Sequence, residues 1–150
     1  MRLYKLLKLR KGLVGEINKL KEQIKDKNSY LVGSQNGAKF NVEEQYKILL
    51  EKIDKLTALK FVINEANKEI QSQLYVLGEY KALIAFWKEV SVAEGTQTMN
   101  TYSDKTTEYI VQFDEAKRDG IVNDFQKRVD AIQEAIDEYN FTTDVPWEDE

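Results

Sequence analysis

"LYKLLKLRKGLVGEINKLKEQI", residues 3–24, sets its apolar residues three and four apart at Leu3, Leu6, Leu13, Ile17, Leu20 and Ile24. That spacing keeps one face of an α-helix apolar, and with Leu31 it predicts a heptad seam on a helix of about 28 residues. Gly12 and Gly15 interrupt it, each weakening the helix by up to about 1 kcal/mol against alanine or allowing a close helix crossing. The pattern ends at "VGSQNGAKF", where Gly33 and Asn36-Gly37 are turn chemistry.

The same period recurs downstream. Asn41 is a good N-cap with Glu43 and Glu44 in the first turn, where negative charge suits the positive end of the helix dipole. The second seam reads Val42, Tyr46, Leu49, Ile53, Leu56, Lys60, Ile63, Asn67 and Ile70, and it either runs on through Leu74 and Leu77 or breaks near "QSQ" and Gly78. A third pattern, "EYKALIAFWKEV", is apolar on more of its circumference and is expected to be the most buried. "GTQTMNTYSDKTTEYIVQF" changes to threonine and tyrosine with some alternation, which predicts a two-stranded ribbon turning at Asp104-Lys105. Helical spacing resumes at about Asp119 with Val122, Phe125, Val129, Ile132, Ile136 and Tyr139. The predicted fold is mainly α: a long-helix antiparallel bundle of about four helices with a small β-ribbon insertion near residues 96–113, forming one domain over 1–150. Helices this long and a ribbon with open edges predict self-association.

Composition narrows the chemistry. The 150 residues include no cysteine and no histidine, which removes disulfides, thiolate and imidazole metal sites, and every nucleophile activated by histidine. The longest apolar run, "ALIAFW" at 82–87, is far short of the roughly 20 residues of a spanning helix. Charges at Arg2, Lys5, Lys8, Arg10 and Lys11 break up any secretory apolar region, so the expected location is the cytoplasm. The net charge of -4 conceals a gradient. Residues 1–30 hold nine Lys or Arg against three acids, and residues 111–150 hold four against twelve. The ends are electrostatically complementary, which places them together in the monomer or across an oligomer contact and outweighs a nucleic-acid role for the basic end.

Several polar residues stand where the spacing asks for apolar ones. Arg10 falls between Leu6 and Leu13, and Lys60 and Asn67 interrupt the second seam; such residues most often fix register. "INEAN" puts Asn64 and Asn67 on one helix face, where asparagine is a poor helix former and a tertiary hydrogen bond or a ligand is expected to compensate. In "YNFTTDVPW", Asn140 suits a left-handed helix end, Thr142 and Thr143 supply hydroxyls, and Phe141 and Trp147 supply aromatic faces.

Ile63-Asn64-Glu65-Ala66-Asn67 resembles the "I-N-x-x-N" element of the septicolysin-like family of small bacterial and phage helical proteins. Ile136-x-x-x-Asn140-Phe141-Thr142-Thr143-Asp144 is similar to that family's "I-Q-E-x-N-W-T-T-E-L". "LLKLR", ending at Arg10, resembles its start. Phe141 stands in place of the usual Trp and Asp137 in place of Gln, and residues 31–40 lack the family's acidic, proline-bearing loop, as in a distant member. The resemblance implies a helical, self-associating protein whose shared polar set is Arg10, Asn64, Asn67, Asn140 and Thr142.

These readings lead to a non-enzymatic homo-oligomeric binding protein with no cofactor, no metal, and neither nucleic acid nor membrane as partner. Its ligand site is expected at Arg10, Lys60, Asn64, Asn67, Tyr139, Asn140, Phe141 and Thr142. The cations would meet a small anionic nucleotide-like ligand, the amides and hydroxyl would read polar edges, and Tyr139 or Phe141 would stack on a ring. Some phage anti-defence proteins that sequester a nucleotide signal offer an analogy. The alternative is a structural or adaptor protein whose seam polar residues only fix oligomer register.

Overall fold

The computed structural model describes residues 1–98 and 105–148. Four α-helices, α1 (Leu3–Lys27), α2 (Val42–Asn67), α3 (Gln71–Glu89) and α4 (Glu115–Thr142), are joined by short connections and by one ribbon, β1 (Gly95–Thr98) and β2 (Thr106–Tyr109). The chain is mainly α with a small antiparallel insertion, as the periodicity predicts. It divides into two compact units, Met1–Glu69 with Glu138–Glu150, and Ile70–Asp137.

In the first unit α1 packs antiparallel on α2, since Leu3, Leu6 and Leu13 share one core cluster with Leu59 and Ile63 and Glu16 meets Lys52 farther along the pair. α1 ends at Lys27, one turn earlier than predicted, with Lys25 and Lys27 at its negative dipole end. Leu31 therefore lies beyond the helix and is 84% exposed. Gly33 adopts φ 83°, a left-handed conformation that glycine reaches without Cβ strain. Asn41 caps α2 as its position predicts, its side chain accepting from the backbone N–H of Glu44 at 3.1 Å.

The seams are rotated from the predicted ones at their charged positions. Leu9 is half-buried and Arg10 exposed; Leu59 is fully buried and Lys60 exposed. Burying an unpaired ammonium or guanidinium costs far more than burying leucine gains, so each helix turns its neighbouring leucine inward. Tyr46 also leaves the predicted seam and is exposed.

The backbone passes from α2 to α3 through one 3-10 turn, Lys68–Ile70, just ahead of "QSQ", and Gly78 sits inside α3. In the second unit α3 and α4 run antiparallel, because Tyr80 meets Phe125 edge-on at 5.1 Å and Trp87 stacks on Phe113 at 5.5 Å. α3 is not the most buried element: only Leu77 and Ile84 are buried, and Phe86 and Tyr75 face outward. Its apolar residues are spread around the helix, and one neighbour can cover only one side. The ribbon pairs Gly95 with Tyr109 and Thr98 with Thr106 and stops at Tyr109 rather than near 113. Asp104 of the predicted turn lies outside the described residues. α4 starts at Glu115, earlier than Asp119, because Asp114 accepts from the N–H of Lys117 at 2.8 Å and caps the first turn.

Candidate functional site

The last residues of α4 and the segment after it are held against the start of the chain. Thr143 donates its N–H to Tyr139 O at 2.9 Å and closes the helix, while the Thr142 hydroxyl donates to Glu138 O at 2.8 Å. Asn140 is not a left-handed cap: no described residue except glycine has positive φ, and the helix continues past it to Thr142. The chain then becomes extended. Leu3 N–H donates to Thr143 O, Val145 N–H donates to Met1 O, each at 2.9 Å, and the amino terminus donates to Val145 O at 2.8 Å. Arg2 completes the clasp through an ion pair to Asp144 at 3.1 Å and a hydrogen bond to Thr142 O. Val145 enters the core beside Leu3, Leu6 and Ile63, and Trp147 packs against that cluster. The expected proximity of the two chain ends is realised here inside one molecule.

Beside the clasp lies a cleft of about 340 Å³ whose walls include Phe61, Glu65, Glu69, Tyr139, Asp144 and Pro146. The Tyr139 hydroxyl donates to Ala66 O at 2.8 Å and lies 3.4 Å from Glu69 Oε2. Burial pushes the Tyr139 phenol above its usual value, and the Glu69 carboxylate adds to that shift. Glu65 is bridged by Lys68 at 2.6 Å. The rim is therefore acidic, with its two nearby cations, Arg2 and Lys68, already paired. Such a rim repels an anion and attracts a cation.

The structure brings together part of the predicted set. Tyr139, Asn140, Phe141 and Thr142 form the end of α4, with Phe141 packed against Tyr4 at a ring distance of 4.6 Å. Asn67 is half-buried at the end of α2, and Asn64 is exposed. Neither amide makes a side-chain hydrogen bond among the described residues; the carbonyl that serves the tertiary contact is that of Ala66, between them. Arg10 and Lys60 are exposed and make no ion pair among the described residues. Asn140 Oδ1 and Trp147 Nε1 are buried without a hydrogen-bond partner. No group of acidic side chains among the described residues is arranged to hold a metal ion.

Sequence reasoning missed Arg2, Ala66, Glu69 and Val145. The end-to-end charge complementarity was the one signal for Arg2, whereas a backbone carbonyl leaves no mark in a sequence. No protein-family model, curated protein or solved structure matches the chain.

Proposed function

We propose that this chain works without catalysis, as a self-associating helical protein of structural or adaptor type. The observation that carries the reading is a second apolar face on α2. Leu49, Leu59 and Ile63 are buried, while Tyr46, Leu50, Thr57 and Phe61 fall within a narrow arc centred about 130° round the helix from them. Tyr46, Leu50 and Phe61 are 52%, 43% and 65% exposed. A helix whose apolar residues extend beyond the face that its own chain covers offers the uncovered part to a partner helix. The polar residues of the α4 end support the same reading, because the Tyr139 hydroxyl is engaged with Ala66 O of α2 and the Thr142 hydroxyl with Glu138 O of its own helix. The septicolysin-like resemblance, which implies self-association, agrees with it.

Native mass spectrometry of the purified protein is the test. An oligomer that becomes monomeric in Tyr46→Ser/Phe61→Ser supports the reading, and a monomeric wild type removes it.

A second reading keeps a small anionic nucleotide-like ligand, favoured by one observation: Arg10 and Lys60 are cations without ion-pair partners among the described residues, and Phe141 presents an exposed ring. Ligand stacking on Phe141 with the cations supplied by a neighbouring copy would make the site complete only in the oligomer. Differential scanning fluorimetry with cyclic dinucleotides and ADP-ribose-type compounds decides it, and no rise in melting temperature with any of them ends it.

A further inference from the structure

Two exposed helix faces of opposite charge lie on α1 and α4. On α1, Lys5, Lys8 and Lys11 share one side of the helix with Gly12 and Gly15, and all five are exposed. A side chain added at either glycine would meet nothing within 4 Å, so this side is low and open between its lysines. The three lysines make no ion pair among the described residues.

On α4, Asp130, Glu134 and Asp137 follow one another at four and three residues and are likewise exposed. Asp130 and Asp137 are oriented by hydrogen bonds from Gln126 and Gln133, at 2.9 and 3.0 Å, but no cation neutralises any of the three among the described residues. At a rise of 1.5 Å per residue the lysine row is about 9 Å long and the acidic row about 10.5 Å.

We infer that the basic face of α1 docks on the acidic face of α4 in a second copy of this chain. Laid antiparallel, Lys5 meets Asp137, Lys8 meets Glu134 and Lys11 meets Asp130. Lys127, one turn before Asp130, then falls opposite Gly15, where no cation opposes it. Each copy offers both faces, so every copy can give one to a neighbour and receive the other. The gaps at Gly12 and Gly15 let the helices approach closely enough for short ion pairs. A second copy is favoured over a nucleic acid or an anionic surface because the chain carries its own matching acidic row. This inference rests on the self-association proposed above and names one of its contacts.

The test is sedimentation equilibrium on the full chain. Wild type is expected to associate at low salt and to weaken toward 1 M salt, where the screening length falls to about 3 Å. Lys5→Glu/Lys8→Glu/Lys11→Glu is expected to raise the dissociation constant at least about tenfold, and Asp130→Lys/Glu134→Lys/Asp137→Lys to do the same. Mixing the two variants makes both contacts complementary again and is expected to restore association. All six positions are exposed, so circular dichroism should show both variants folded. An oligomer that neither reversal weakens overturns this contact and leaves self-association standing; a wild type that is monomeric at every salt concentration overturns both. Binding of the basic face to anionic vesicles or single-stranded DNA, with association insensitive to the α4 reversal, also overturns it.

Discussion

The phenol of Tyr139 donates to the backbone carbonyl of Ala66 at 2.8 Å across 73 residues of sequence, tying the last helix to the end of α2. Replacing the hydroxyl leaves a partly buried carbonyl unsatisfied, so Tyr139→Phe is expected to cost about 1 kcal/mol, read as a lower urea midpoint at unchanged slope. The raised phenol adds a pH dependence. The folded form holds its proton to higher pH than the unfolded chain, whose tyrosine titrates near 10.0. The contribution is fully present below that value and is lost as pH rises through the folded pKa above it. The gap between wild type and Tyr139→Phe should therefore be constant at neutral pH and close only in strong alkali.

The long helices were legible because burial on one face writes a period into the sequence, and Asn41 was legible because capping chemistry is local. What escaped was anything depending on which of two adjacent residues turns inward. Arg10 and Lys60 sit at seam spacing, yet a small turn of each helix, which leaves Leu6, Leu13, Leu49 and Ile63 buried, brings Leu9 and Leu59 inward in their place. The "YNFTTDVPW" segment announced itself by composition. Its backbone pairing with Met1 and Leu3 was not legible, because main-chain partners are invisible in side-chain identity.

Midway along the α1–α2 pair, Glu16 and Lys52 form an ion pair at 2.5 Å. The hydrogen bond and charge of Lys52 hold the Glu16 carboxyl below its usual 4.5, with Lys55 adding to the effect. A carboxyl with a lowered folded pKa contributes stability that is present above the unfolded value and disappears as pH falls through the folded one. Lys52→Met should melt at a lower temperature than wild type at pH 7, and the difference should shrink below about pH 4.5. Because Glu16 is exposed, added salt should shrink it as well.

The clasp between the chain ends combines an exposed ion pair, backbone pairing and one buried side chain, which differ in weight. Arg2→Gln removes the ion pair with Asp144, and exposed pairs of this kind contribute about 0–1 kcal/mol. Val145→Ala removes two methyl groups from a core position and is expected to cost about 2 kcal/mol. Denaturant titration of the two variants should rank Val145→Ala well above Arg2→Gln. The reverse order would mean that charge, not burial, closes the clasp.

Leu59 and Lys60 give the sharpest test of the α2 register. Leu59 has no exposed surface and packs in the cluster with Leu3, Leu6 and Ile63. Leu59→Ala empties a leucine-sized volume between two long helices that cannot easily collapse onto it, at an expected cost of about 2–5 kcal/mol. Lys60→Ala removes an exposed side chain that makes no ion pair among the described residues, and surface changes of this kind stay within about 0.5 kcal/mol. Thermal melts of the two variants should therefore differ by many degrees. Were Lys60 on the seam, its alanine variant would shift stability by an amount comparable to Leu59→Ala, and the rotation of α2 described above would be refuted.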